Sequence, residues 1–292
     1  MPDTLPEPFD AAPWLDKAFN IPQAAERVRT MLSDEESKLL YWLARHYAEG
    51  EGEILDLGCF AGGSTARLAA GVADSGRSTP VHAYDHFLIK DAQKESYLYP
   101  AGIEPFQGED MLPAVNELLA PWDGIVQFHK GDIRRARWPG RPIELLFVDA
   151  AKTPQSADLI AFGFFTSLIP GRSLVIQQDY LHWRQPWVPA QMELLADCFE
   201  LACWCRQGTV VFRCTQQITP DHLRYAQVSD MDDADMSRLI RQAIPRLPQR
   251  PQGARLATTL LALEDNPGER LPYKFDNSLF SAERVKAILE QL

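Results

Sequence analysis

The chain has 292 residues, 46% hydrophobic and 24% charged, which at ~150 residues per domain allows two domains or one enlarged α/β domain with appendages. That apolar content excludes a disordered chain, and five cysteines at irregular spacings argue against a secreted disulfide framework. The balance of 29 basic against 40 acidic residues, a net charge of -11, denies the broad positive face a duplex nucleic-acid binder needs.

No segment approaches the ~18 apolar residues that span a bilayer. The most apolar stretch, 159–169, is broken by Gly163, Thr166 and Ser167. The proline-rich, acidic first residues lack the basic start and apolar run of a signal peptide. The expectation is a cytoplasmic protein with no membrane partner.

Residues 1–22 carry Pro2, Pro6, Pro8, Pro13 and Pro22 and read as an arm or loosely attached lid. Helical signals begin near Gln23. Ser33 with Glu36 three residues on forms a capping box, followed by Leu39, Leu40, Leu43 and Tyr47 at helical spacing. From Glu53 strands and helices alternate. Strands are expected at 54–57, 81–84, 125–129, 143–148 and 173–176, and helices at 64–73, 112–119, 158–168 and 189–196. Stretches 199–205 and 210–214 flank Gln207-Gly208 as a hairpin. This order implies an α/β fold: a Rossmann-like, seven-stranded, mostly parallel sheet with helices on both faces and an antiparallel terminal hairpin. Residues 215–292 read as a helical appendage, with helices over 254–263 and 282–292 and a helix-start charge run at 230–235. The domains are therefore 1–22, 23–214 and 215–292.

On an open α/β sheet ligands bind at the carboxyl ends of the strands. Those ends are Gly58 to Ser64, Asp85-His86, Asp132, Asp149 to Lys152, and Gln177 to Asp179. Four of the five carry an Asp, and clustered carboxylates cost stability unless a cation or polar ligand compensates them. The loop Asp56-Leu57-Gly58-Cys59-Phe60-Ala61-Gly62-Gly63-Ser64 opens a helix whose first N–H groups face a ligand. Phe60 stands where a dinucleotide fingerprint has its second glycine, which favours a bulkier, less anionic ligand than a pyrophosphate.

Over about residues 25–214 the sequence resembles class I S-adenosylmethionine-dependent methyltransferases. Ile54 to Ser64 is similar to their first motif, Val81 to Asp85 to their second strand with its ribose-binding acid, and Lys130-Gly131-Asp132-Ile133 to their adenine segment. The resemblance implies S-adenosyl-L-methionine as cofactor. Gly58 and Gly62 would face its methionine end, Asp85 its ribose, and Asp132 and Ile133 its adenine, with Asp56, Phe60, Ala61, Ser64, His86 and Asp149 completing the site. Independently of the resemblance, Asp56 can attract the cofactor's amino group.

Leu146 to Lys152 is similar to the segment of caffeoyl-CoA and catechol O-methyltransferases that supplies a metal-binding Asp and a lysine, and Gln178-Asp179 falls at their Asp-Asn pair. Val81 to Phe87 and Val175 to Tyr180 also resemble macrocin-type sugar O-methyltransferases, whose paired acids are reduced here to Asp179. The resemblance implies a Mg²⁺ site of Asp149, Gln178 and Asp179; metal-free catalysis is the alternative. Lys152, its pKa lowered toward neutrality beside a cation, and His182 are rival general bases. The expected activity is methyl transfer to a hydroxyl of a small-molecule acceptor (a phenol, sugar or natural product). An NAD(P)-dependent oxidoreductase and a non-catalytic methyltransferase-like binding protein are the alternatives. The C-terminal helices are compatible with a homodimer.

Overall fold

The computed structural model describes residues 5–99, 103–247 and 250–291. The chain divides into two compact units. One comprises Ala12–Ala136 with Arg141–Phe147; the other comprises Met1–Ala11, Arg137–Gly140 and Val148–Leu292.

The first unit begins with α1 (Gln23–Arg27) and α2 (Asp34–Trp42). The expected capping box starts α2: the Ser33 hydroxyl accepts from the Glu36 N–H, and the Glu36 carboxylate accepts from the Ser33 N–H at 2.9 Å. The helix runs on into a π turn, Leu43–Tyr47. Then follow β1 (Glu53–Leu57), α3 (Gly63–Asp74), β2 (Val81–Asp85), α4 (Asp91–Tyr97), α5 (Leu112–Leu118), β3 (Val126–Lys130) and β4 (Ile143–Val148). β2 pairs in parallel with β1 and β3, setting His82 beside Leu55 and Gln127.

In the second unit α6 (Pro154–Phe164), β5 (Leu174–Gln177) and α7 (Trp187–Leu194) precede the antiparallel hairpin of β6 (Phe199–Trp204) and β7 (Val210–Cys214). Four helices close it: α8 (Pro220–Tyr225), α9 (Asp233–Ala243), α10 (Arg250–Asp265) and α11 (Ala282–Leu289). The strands form one seven-stranded sheet in the order β3-β2-β1-β4-β5-β7-β6. It is mostly parallel and closed by the antiparallel hairpin, as the strand–helix alternation implied. Among the described residues no helix is long and apolar enough to cross a membrane.

α3 is buried from Gly63 to Val72, and its small residues let it press against α2 and the π turn. A Cβ on Gly71 would stand 2.6 Å from the Tyr41 carbonyl oxygen and 2.7 Å from the Ala44 Cβ. One neighbour is main chain, so neither contact can yield cheaply. Gly71→Ala is expected to destabilise the protein by about 1–3 kcal/mol, the usual cost of overpacking. Urea unfolding measures this, and an unchanged midpoint would refute the packing assignment.

Several expectations shift. α6 starts at Pro154 rather than 158, because the Thr153 hydroxyl accepts from the Ser156 N–H and proline suits the first turn. α4 lies in a stretch to which the sequence assigned no element. It is followed by a turn fastened by the buried Lys94, whose ammonium donates to the Asp91 carboxylate at 2.7 Å and to the Phe106 and Gly108 carbonyls at 3.0 and 2.5 Å. The proline-rich start is not loosely attached: Phe9 and Trp14 are wholly buried. Residues after 214 fall within the same compact unit as β5–β7.

Candidate functional site

In the first unit, three residues of the loop after β1 take left-handed backbone conformations: Gly58 (φ 111°), Phe60 (φ 46°) and Gly62 (φ 87°). Glycine adopts these freely; Phe60 is held there. The holder is Asp85, at the end of β2. One carboxylate oxygen accepts from the Phe60 N–H at 2.9 Å and the other from the Phe87 N–H at 2.8 Å, and Phe87 is itself left-handed (φ 51°). One side chain therefore shapes both loops at the carboxyl ends of β1 and β2. Gly58 and Phe60 are partly exposed, while Ala61, Gly62 and Ser64 are buried. Phe87 was missed in the sequence, although an Asp closing a strand with an N–H two residues on is a recognisable turn signal.

Asp56 plays another part than the expected one. It is wholly buried, and its carboxylate accepts from the Ser64 hydroxyl at 2.7 Å and the Thr65 hydroxyl at 2.5 Å. It ties α3 to β1 from beneath the loop, and the Ser64 hydroxyl is turned inward to it. Asp132 is grasped by Arg134, whose guanidinium donates at 2.7–3.0 Å and whose N–H donates at 2.9 Å. Those bonds hold the Asp132 carboxyl down to about 2. Ile133 opens the short helix that Asp132 caps. His86 is more than half exposed, with Nε2 at 3.9 Å from Asp132.

Behind these loops runs a polar chain on one face of β1–β3. Arg141 pairs with Glu53 at 2.5 Å, His82 Nε2 lies against the other Glu53 oxygen, and His82 Nδ1 meets His129 Nε2 at 2.8 Å. The His129 ring stacks on Tyr84 at 4.2 Å between centroids. Burial, then the nearby Arg141 guanidinium, pushes His82 down to about 4, and burial lowers His129 as well. Desolvation raises Glu53 despite Arg141.

In the second unit Asp149 and Asp179 end β4 and β5, whose termini are joined by the Gln178 N–H donating to the Val148 carbonyl at 3.1 Å. The half-exposed Lys152 ammonium donates to both carboxylates. Trp187 fixes this segment, its indole N–H donating to the Ala151 carbonyl at 2.7 Å from full burial. Trp187 is thus part of the core. Desolvation opposes the charge on Lys152, but the two carboxylates outweigh it and hold the ammonium above the ordinary lysine value. The resemblance implied a lysine lowered toward neutrality beside a metal ion; beside these two carboxylates the shift is upward.

Of the expected metal ligands, Asp149 and Asp179 meet at the Lys152 ammonium, and the Gln178 side chain does not join them. The Gln178 amide oxygen accepts from the Thr209 hydroxyl at 2.6 Å. Its main-chain oxygen faces Gly208, where a Cβ would stand 3.1 Å away. Asp149, expected on both the cofactor and metal sides, and Asp179 both spend their charge on Lys152. Among the described residues no group of three His, Cys, Asp or Glu could hold a metal ion. Octahedral Mg²⁺ is commonly held by one or two carboxylates and waters, but here the Lys152 ammonium already occupies the position between the two carboxylates that such an ion would take. His182 is lowered by burial, and its Nδ1 accepts from the Arg184 N–H at 3.3 Å, which leaves the neutral ring's proton on Nε2 as a donor.

No family model and no curated protein matches the chain. Among solved structures it is similar to the O-methyltransferase NovP, with a TM-score of 0.50 and 16% identity over 64% of this chain and 82% of that one. It is also similar to the SAH-bound methyltransferase PaMTH1 of Podospora anserina, with a TM-score of 0.46 and 15% identity over 70% of this chain and 94% of that one. The NovP likeness shows the fold alone, an α/β architecture around a seven-stranded, mostly parallel sheet.

Proposed function

We propose that the chain is an S-adenosylmethionine-dependent methyltransferase acting on a hydroxyl of a small-molecule acceptor. The observation that carries it is Asp85, which shapes the β1 and β2 loops through two backbone N–H groups and keeps carboxylate lone pairs for a vicinal diol. The residues fit a sulfonium nucleoside: partly exposed Gly58 and Phe60 offer backbone and an aromatic face, and the first helix turn adds a positive dipole end for the methionine carboxylate. Such a cofactor supplies an already activated methyl group.

The chain's own work is positioning and charge control. Asp85 orients the ribose and Phe60 covers the donor. The acceptor's hydroxyl donates to the Asp179 carboxylate, which takes its proton as the carbon–oxygen bond forms and the carbon–sulfur bond breaks. Transfer to oxygen is also the chemistry named for NovP.

Calorimetry separates the readings. S-adenosylhomocysteine is expected to bind with a Kd in the micromolar range, about -8 kcal/mol, and NADP not to bind. Binding of NADP without S-adenosylhomocysteine would transfer the chain to the oxidoreductases. S-adenosylhomocysteine binding without turnover on any phenol, sugar or natural-product pool would make it a non-catalytic binder.

A further inference from the structure

We propose that Lys152 is a built-in cation that takes the place of a divalent metal at the ends of β4 and β5, so that the acceptor's oxygen meets an ammonium and no metal ion. The catalytic consequence rests on the methyltransferase reading; the cation site itself does not.

Three observations carry it. The Lys152 ammonium donates to Asp149 and to Asp179, so a single positive charge already bridges the two strand ends. The Gln178 amide oxygen accepts from the Thr209 hydroxyl, so the side chain that would add a ligand beside the two carboxylates is bound elsewhere. The backbone on either side of Lys152 is locked, by the Trp187 indole on Ala151 and by the Thr153 cap of α6, so the ammonium returns to one place. Two half-buried carboxylates facing each other without a cation would repel, which makes the lysine part of the site's stability. Its half-exposed flank leaves N–H donors for a substrate oxygen. As the hydroxyl proton passes to Asp179, that ammonium stabilises the negative charge the oxygen carries until the methyl group arrives and consumes it.

The test uses Mn²⁺ as the probe, read by its electron paramagnetic resonance signal and by thermal unfolding, on the whole chain. The wild type is expected to leave Mn²⁺ in solution at millimolar concentration and to unfold at the same temperature with Mn²⁺ or EDTA. Lys152→Met, which bares the two carboxylates, is expected to unfold several degrees lower, to bind Mn²⁺ at least tenfold more tightly than the wild type, and to recover part of the lost Tm when Mn²⁺ is added. Lys152→Arg is expected to keep the wild-type indifference to metal. Stoichiometric Mn²⁺ binding by the wild type that disappears in Asp179→Asn would overturn the proposal, because the site would then be a metal centre. A Lys152→Met protein whose Tm ignores Mn²⁺ would overturn it too, since the carboxylates would not share one cation position. S-adenosylhomocysteine binding is measured on the same samples; its absence would defeat the methyltransferase reading while leaving the Mn²⁺ result to decide the cation site.

Discussion

Asp85→Ala is expected to weaken S-adenosylhomocysteine binding by about a hundredfold or more. Two effects add. The variant loses the carboxylate that would accept the ribose hydroxyls, and charge-assisted bonds of this kind contribute about 1.5–3 kcal/mol each. It also leaves the Phe60 and Phe87 N–H groups without their acceptor, so two left-handed phenylalanines are no longer held. A non-glycine residue in that region costs about 1–3 kcal/mol and persists only where its surroundings enforce it. Asp85→Asn keeps one carbonyl acceptor and is expected to lose less. Calorimetry on the three proteins checks the order wild type, Asn, Ala. Equal affinities would remove Asp85 from the site and with it the observation on which the functional proposal rests.

Stability is expected to fall as the pH drops from about 6.5 to about 4, and His82→Leu is expected to flatten that slope. In the folded chain His82 is held neutral down to about 4, whereas an unfolded histidine takes up its proton near 6.5. Between those values the unfolded state binds more protons, so protonation favours unfolding. The contribution is therefore full above about 6.5 and is lost on acidification, at most about 3 kcal/mol for a shift of this size. His129, lowered as well, acts in the same direction. Glu53 is raised and acts in the opposite one, losing its contribution as the pH rises. The measured slope is net of the three. Urea unfolding at a series of pH values, with wild type and variant compared by slope and not by absolute stability, gives the answer. Parallel curves would show that His82 does not carry the acid sensitivity.

Much of the fold was legible because its signals are local. β4 is an apolar run broken only by Glu144, and it forms over Ile143–Val148 as the sequence implied. The Ser33–Glu36 box and the acidic start of α9, capped by Asp232, are likewise complete within one turn. α4 was not legible: it presents Asp91 to Tyr97 with no apolar stripe, and its surroundings are organised by one buried lysine reaching carbonyls a dozen residues on. Phe9 and Trp14 were outweighed by the prolines around them, although two large rings can fasten a stretch with no helix of its own.

The site divides in the same way. Asp85 was identifiable because a strand-end acid beside a glycine-rich loop leaves few roles open. The fates of Asp56, Gln178 and Lys152 depend on partners 8, 31 and 27 residues away, which no local pattern reveals. The sequence shows that carboxylates gather at the strand ends; only the folded chain shows that Lys152 stands between two of them.

Asp158, on α6, is buried, and its carboxylate accepts from the Val228 and Ser229 N–H groups, each at 2.9 Å, and from the Gln191 amide at 3.0 Å. One side chain thus binds α6, α7 and the turn leading into α9. Cutting the gene after residue 214 would strip a buried carboxylate of two donors and bare the flank of α7 on which α9 packs. The last eighty residues are therefore inherited with the strands they follow: in recombination between related genes they would have to travel with β5–β7, and an exchange of tails alone would break the molecule at its own core.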